Sequence, residues 1–267
     1  MKIGIAGFGF VGQAVYGSLR RPSEAVIYDP PKGYDTWDRL LETEVLFSCL
    51  PTPMIARGDQ QDWAIYHDFL NAMHRDYDGL LIIKSTCLWE NIRPWVSLGA
   101  PPIVINPEFL KANSAREDFH NQRHIIIGGD ADNAGKLIQC YKTDFELQYP
   151  PTFHVVQPKV ACDFKYFHNV LQAYMSLAGE WAHDVLDNQR QLVKLFAEMH
   201  GVPESFLHMA VGMDGYRGYG GACFPKDVGA IHNARPHVLT EFMRRYNGQL
   251  LDATFASHDN VGGLVDE

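Results

Sequence analysis

The chain lacks a run of about 18 apolar residues, the length a helix needs to cross a bilayer, so no membrane span is expected. It is poor in cysteine. Five residues (Cys49, Cys87, Cys140, Cys162, Cys223) are odd in number and form no CxxC pair. That argues against a disulfide framework or a zinc site and suits a reducing cytoplasm. Twelve histidines show no HExxH or other ligand spacing, so no metal is expected. Positive charge is also scarce: 23 Lys and Arg face 32 Asp and Glu, a net charge of −9. A nucleic-acid binder needs a basic face, and this chain is not expected to be one. An anionic ligand held locally, for example by a helix N-terminus, stays open. Repeats and low-complexity tracts are absent as well. Lys2 and the apolar stretch after it look like a signal peptide, but glycines at 4, 7, 9 and 12 fit a strand and tight turn better.

What is present is ordinary globular composition, 46% apolar and 21% charged over 267 residues, enough for one or two domains. Short apolar runs alternate with helix-like segments: KIGIAG, EAVIYD, EVLFSCL, GLLIIKS, PIVIN, HIIIGG and FHVVQ. Nearly continuous apolar runs fit parallel strands covered on both faces, and the alternation predicts a Rossmann-type doubly wound sheet with right-handed crossovers. The expected first domain is 1–157. From Pro158 to about Met199 the pattern becomes helical. Val160, Phe164, Phe167, Leu171, Tyr174, Ala178, Trp181 and Val185 recur every three or four residues. This predicts one long amphipathic helix, ended by Gly201 and Pro203, at the centre of an all-helical domain, 158–267. A helix of that length suits a dimer interface. Shorter helices are expected near 203–212, 226–233 and 238–255, then a loose tail, HDNVGGLVDE.

Gly7-Phe-Gly9-Phe-Val-Gly12 matches GxGxxG at the end of the first strand, and Asp29 ends the next one, 22 residues after Gly7. The physical roles are specific. Gly7 permits the tight turn, Gly9 lets backbone approach a pyrophosphate, and Gly12 lets helix and strand pack closely. Asp29 would accept from ribose hydroxyls and repel a 2′-phosphate, which favours NAD over NADP. A glycine-rich turn with no ligand is the bland alternative. Three polar segments follow later strands: Cys49-Leu-Pro-Thr52-Pro, Lys84-Ser-Thr86-Cys and Asn106-Pro-Glu108-Phe-Leu-Lys111. Each alone is ordinary loop chemistry; three in sequence point to a site in one crevice.

Lys165 and Asn169 stand four apart on the long helix and share a face. The segment Gly218-Tyr219-Gly220-Gly221-Ala-Cys223-Phe-Pro225-Lys226-Asp227 gives a bare turn running into a helix with Pro near its start. There the helix dipole and Lys226 would favour the Cys223 thiolate. Asp227 could accept a proton or hold a water. A snorkelling lysine and a buried thiol beside a capping aspartate are the structural alternatives.

In this order, GFGFVG, Asp29, CLPTP, KSTC, NPEFL, Lys165-x-x-x-Asn169 and GYGGACFPKD resemble the UDP-glucose/GDP-mannose dehydrogenases over roughly residues 1–235. The resemblance implies oxidation of a nucleotide-sugar primary alcohol to a carboxylate with two NAD and a cysteine thioester. It implies catalytic roles for Cys223, Lys165, Asn169, Asp227, Glu108 and Thr86. It implies cofactor contacts from Gly7, Gly9, Phe10, Val11, Gly12, Asp29, Thr52, Thr86 and Lys226. Phe109, Leu110, Lys111, Lys165, Asn169, Tyr219 and Gly220 would line the sugar site.

Three departures stand out. The family carries a third α/β domain with no counterpart here. The stretch from Met213 to Arg217 is short where the family has an Arg-Ile-Gly element. Ala112 and Cys162 replace glutamates common in the family. Two other readings remain: a non-catalytic or partner-dependent NAD-binding protein, and a two-domain β-hydroxyacid-type dehydrogenase.

Overall fold

A computed structural model describes residues 1–55, 60–212, 216–221 and 223–261. Part of the short stretch before the glycine turn (213–215), Ala222 and the end of the expected tail (262–267) lie outside them. By compactness the chain divides into two units. One comprises Met1–Pro53 and Asp62–Lys165, the other Met54–Gln61 and Tyr166–Glu267.

The first unit is built on seven strands: β1 (Ile3–Ala6), β2 (Val26–Tyr28), β3 (Val45–Ser48), β6 (Leu80–Ile83), β7 (Ile103–Ile105), β8 (His124–Gly128) and β9 (Thr152–Val156); β4 (Met54–Ile55) and β5 (Gln60–Gln61) form a separate hairpin in the second unit. All seven coincide with the apolar runs of the sequence. Their order is β2-β1-β3-β6-β7-β8-β9. Successive residues feed two cores, as period-two alternation requires. Ile3, Ile5, Val45, Phe47, Leu80 and Ile82 enter one, while Ala6, Leu46, Leu81 and Ile83 enter the other. Helices such as Phe10–Gly17 and Ala64–Asp76 contribute to these layers.

The sheet departs from the all-parallel expectation at one place: β7 and β8 pair antiparallel, through Ile105 and Gly128. Their connection holds only the helix Ala115–His120, six residues. Six helical residues rise about 9 Å, less than the length of a five-residue strand at about 3.3 Å each. The connection is too short in helix to return the chain for a parallel crossover.

The second unit is helical apart from the β4–β5 hairpin. The long helix is shorter than expected. It spans Pro158–Val185, breaks at 186–188, and a separate helix, Gln189–His200, follows. Asn188 causes the break: it adopts left-handed backbone (φ 62°), a conformation asparagine tolerates better than most residues. The expected helix at 203–212 shrinks to Glu204–Leu207, ended by left-handed His208. Helices Phe224–Ala234 and Val238–Val261 complete the unit. The last one consumes the start of the segment read as a tail, and the glycine pair at 262–263 follows it. Ala173, Leu177, Tyr219, Val228, Met243 and Leu250 form its main core.

The long helix turns its apolar stripe outward. Phe167 (63% exposed), Trp181 (51%) and Val185 (62%), with Leu171 and Tyr174, are solvent-facing. Its buried positions include Ala173 and Leu177 but also Asn169, Gln172 and Glu180.

Candidate active site

The dinucleotide fingerprint lies at the β1/β3 switch point, where the connections leave the sheet in opposite directions and ligands are bound in open α/β sheets. Gly7 has φ +86°, and a Cβ there would meet the Cys49 carbonyl oxygen at 2.7 Å. A Cβ on Gly12 would meet the Gly7 oxygen at 2.0 Å, so only glycine permits this approach of helix to turn. Gly9 is different: a Cβ would find nothing within 4 Å. Open space therefore lies over Gly9 at the N-terminus of helix Phe10–Gly17, the kind of position at which an anion can be held. Phe10 is exposed there and Val11 half-buried.

The Asp29 carboxylate accepts from the Phe8 N–H at 2.6 Å, which ties the end of β2 to the glycine turn. Lys32 Nζ lies 3.7 Å from Asp29 and donates to the Phe8 oxygen at 2.5 Å. Sequence reasoning missed Lys32, although its spacing of three from Asp29 was visible.

The loops after β3 and β6 are tied together. Ser85 Oγ donates to the Leu50 oxygen at 2.6 Å, and buried Thr52 donates to the Thr86 oxygen at 3.4 Å. Beyond β7, Glu108 is buried (6% exposed) and its Oε1 contacts the ammonium of Lys84. Lys84 also donates to Asn106 Oδ1 at 2.7 Å and Tyr141 OH at 3.2 Å. Phe109 lies under Lys165, with Nζ 4.9 Å from the ring centroid, and packs edge-on to Phe164. Leu110 packs on the core, and exposed Lys111 donates its N–H to Asp118 at 2.9 Å. The first unit therefore joins Lys165 to the NPEFL segment. Cys87 and Cys162, both buried, meet with sulfurs 3.7 Å apart.

The second unit assembles the other predicted residues. Cys223 is half-buried at the N-cap of helix Phe224–Ala234, with no side-chain cap, and its carbonyl accepts from the Asp227 N–H at 2.9 Å. Asp227 is fully buried. Its carboxylate accepts from Asn169 Nδ2 at 2.5 Å and from Lys226 Nζ at 2.8 Å. Lys226 thus neutralises Asp227.

The glycine turn is pinned from behind. Gly218 has φ +84°, its N–H donates to Glu180 at 2.7 Å, and a Cβ would strike Asn247 Oδ1 at 2.2 Å. Asn247 pairs with both backbone groups of Tyr219, accepting from N at 2.7 Å and donating to O at 3.0 Å. The Tyr219 ring is buried in the core, and burial pushes its phenol up. Gly220 is half-buried. Arg217 is occupied: Nε donates to buried Glu180 at 2.9 Å and Nη2 to Asp184 at 2.6 Å. It holds the turn on the helix. Glu180 and Asn247 were missed in the sequence, and a glutamate amid apolar helix residues was the one available signal.

Among the described residues, no group of three or more His, Cys, Asp or Glu side chains could hold a metal ion, and no helix is long and apolar enough to cross a membrane.

Sheet order, glycine turn and helical unit define a Rossmann-like α/β dehydrogenase fold followed by a helical region. No protein-family model matches the chain. Its sequence is similar to UDP-glucose 6-dehydrogenase AglM of Haloferax volcanii, 27% identical over 255 residues, covering 84% of this chain and 54% of that protein. The chain spans about half the length of the curated relatives it matches. A UDP-glucose dehydrogenase structure from the hyperthermophilic archaeon Pyrobaculum islandicum aligns with TM-score 0.72 at 20% identity, covering 93% of this chain and 68% of that one. The conserved protein MTH1747, described as of unknown function and structurally similar to 3-hydroxyacid dehydrogenases, aligns with TM-score 0.62 at 14% identity, covering 96% and 98%. The structural likenesses establish the fold. With the sequence similarity, they support the resemblance to nucleotide-sugar dehydrogenases that the motifs carry.

Proposed function

We propose that the chain oxidises the primary alcohol of a nucleotide sugar to a carboxylate, with NAD as cofactor. The observation that carries this reading is the buried Asn169–Asp227 hydrogen bond of 2.5 Å. It joins two motifs 58 positions apart beside the helix that Cys223 begins. A chain with no such chemistry has little need to bury a carboxylate and an amide there beside an ammonium.

Residues 1–157 would hold the dinucleotide: Gly7 to Gly12 around the pyrophosphate, Asp29 at the ribose, and Thr52 and Thr86 as further contacts, with Lys226 of the helical region as one more. Bound NAD supplies a two-electron acceptor for each of two successive oxidations of the alcohol carbon. Cys223 Sγ adds to the aldehyde carbon and holds it as a thiohemiacetal, later as a thioester. Water then attacks the thioester carbon, and Sγ leaves as thiolate. Lys165 and Asn169 stabilise negative charge developing on the substrate oxygen. Glu108 takes the proton of the attacking water, and Asp227, with Thr86, orients that water. Phe109, Leu110, Lys111 and Gly220 would contact the sugar.

The test is NADH formation with a panel of nucleotide sugars, counted per substrate consumed. Two NADH per substrate, lost in Cys223→Ser with NAD affinity unchanged, supports the reading. One NADH with a carbonyl product overturns it in favour of a two-electron, β-hydroxyacid-type reaction. NAD binding with no turnover of any sugar would point to a non-catalytic or partner-dependent protein.

Residues 158–267 would associate with a second copy through the outward apolar stripe of the long helix. The support is the stripe itself: Phe167, Leu171, Tyr174, Trp181 and Val185 lie exposed in series, a pattern that marks an interaction surface. Action on a small soluble substrate suits a cytoplasmic location.

A further inference from the structure

Lys84 is the most deeply buried ammonium described in the first unit, its side chain 1% exposed. Its ammonium donates to Asn106 Oδ1 and Tyr141 OH and forms an ion pair with Glu108 Oε1. The two hydrogen-bond acceptors are themselves fixed. Asn106 Nδ2 donates to the Ile126 oxygen at 2.7 Å, and Tyr141 OH donates to Asn106 Oδ1 at 2.7 Å. The rings of Phe119 and Tyr141 cover the ammonium at 5.5 and 5.9 Å. Four segments meet here: the ends of β6 and β7, the NPEFL segment and helix Ala131–Asp144.

We propose that Lys84 is a positioning residue for Glu108, holding its carboxylate ionised and oriented so that it can take a proton from water. The proposal rests on the role given to Glu108 above. It follows from which groups around Lys84 can carry negative charge. Cys49 faces it, but burial pushes that thiol up to about 12. Burial also pushes the Tyr141 phenol far up. Both are neutral at neutral pH, and Asn106 is never charged. Glu108 is therefore the anion against which this cation is set. Burial pushes Lys84 itself down, to about 7, so the ammonium depends on a charged neighbour to stay protonated. The dependence is mutual: a buried carboxylate without a cation takes up a proton and could no longer act as a base. The link is also rigid. Lys84 directly follows β6, and its N–H donates to the Ser48 oxygen at 3.0 Å. A lysine held at both ends fixes one carboxylate oxygen of Glu108.

The first measurement does not depend on the reaction. The full chain is labelled with 13Cε and 15Nζ lysine, and Lys84 is assigned by its loss in Lys84→Met. In Glu108→Gln the Lys84 titration midpoint should fall by at least about one pH unit, because the opposing charge is gone. An unmoved midpoint overturns the proposal, whatever the enzyme does. The second measurement is the pH profile of kcat. Lys84→Met should lower kcat about 10- to 100-fold near neutral pH and move the acid limb up by about one unit or more. KM for NAD should be unchanged. A fall in kcat with the acid limb in place would mean a packing role only and would overturn the proposal. If Lys84→Met does not fold, loss of the signal in Lys84→Arg supplies the assignment, and comparison of the wild type with Glu108→Gln still decides the coupling. If no nucleotide sugar is turned over, the reading of the reaction fails while the titration still reports on Lys84 and Glu108.

Discussion

The two units treat their apolar residues in opposite ways. In the first, β1, β3, β6 and β7 are buried along their whole length, and each feeds a core on either side of the sheet. In the second, the long helix buries amide and carboxylate side chains and shows most of its large apolar residues to solvent. The sheet unit satisfies itself. The helical unit covers a polar network and turns its strongest hydrophobic face to solvent. Hydrophobic periodicity therefore says that a face is to be covered, but not by what.

The largest effect should come from breaking that face. Phe167→Glu with Trp181→Glu should convert a dimer to a species of about half the mass in sedimentation at micromolar concentration, a loss of several kcal/mol of association. The same charge placed on exposed Ile65 of the first unit, which lies on helix Ala64–Asp76, should leave the mass unchanged. An unchanged mass in the double variant would remove the contrast between the units.

Smaller effects separate ligand space from packing. Gly9→Ala adds a methyl to open space, so thermal stability should stay within about 0.5 kcal/mol. NAD affinity should nevertheless fall at least about tenfold, because that space is where a pyrophosphate would approach. Gly12→Ala collides with the Gly7 oxygen and should cost about 2 kcal/mol in stability as well. If calorimetry finds Gly9→Ala and wild type equal in NAD binding, the fingerprint does not hold the cofactor. In the second unit, Asn247→Ala leaves the buried N–H and C=O of Tyr219 unpaired. That should cost about 2–3 kcal/mol and speed iodoacetamide modification of Cys223. Equal rates would show that the turn is held by Glu180 and Arg217 alone.

How much of this was legible follows the same division. Each main strand is a short apolar run, so the sheet could be read from the sequence. The β7–β8 reversal could not, because it depends on the length of a helix between them. The β4–β5 hairpin pairs Met54 with Gln61 and Ile55 with Gln60, a pattern with no alternation to detect. Asn188 breaks the long helix without glycine or proline, the usual stops. In the site, residues inside motifs were visible because their spacing is fixed along the chain. Their supports, Lys84, Tyr141, Glu180 and Asn247, come from positions linked only by the fold. Lys84 stood in a segment already singled out, yet nothing in the sequence said that it would meet Glu108.

The smallest effect compares two helix N-termini. Helix Ala131–Asp144 in the first unit has a side-chain cap: Asp130 accepts from the Asn133 N–H at 2.9 Å. Helix Phe224–Ala234 in the second has Cys223 at that position and no side-chain cap. Asp130→Ala should therefore cost about 1 kcal/mol. The backbone N–H of Asn133, then its side chain, hold the Asp130 carboxyl below its usual range. A carboxylate with a lowered value in the folded state gives stability above its ordinary value and loses it as pH falls through the folded value. The difference between wild type and Asp130→Ala should accordingly be full at neutral pH and shrink in acid. Cys223→Ser should behave oppositely, because a hydroxyl can cap where a thiol does so poorly. Its stability should equal or slightly exceed that of the wild type, by up to about 1 kcal/mol, in the same variant that stops the reaction. A clear loss of stability in Cys223→Ser would mean that the thiol is there for packing, and the position would lose its claim to be kept for chemistry.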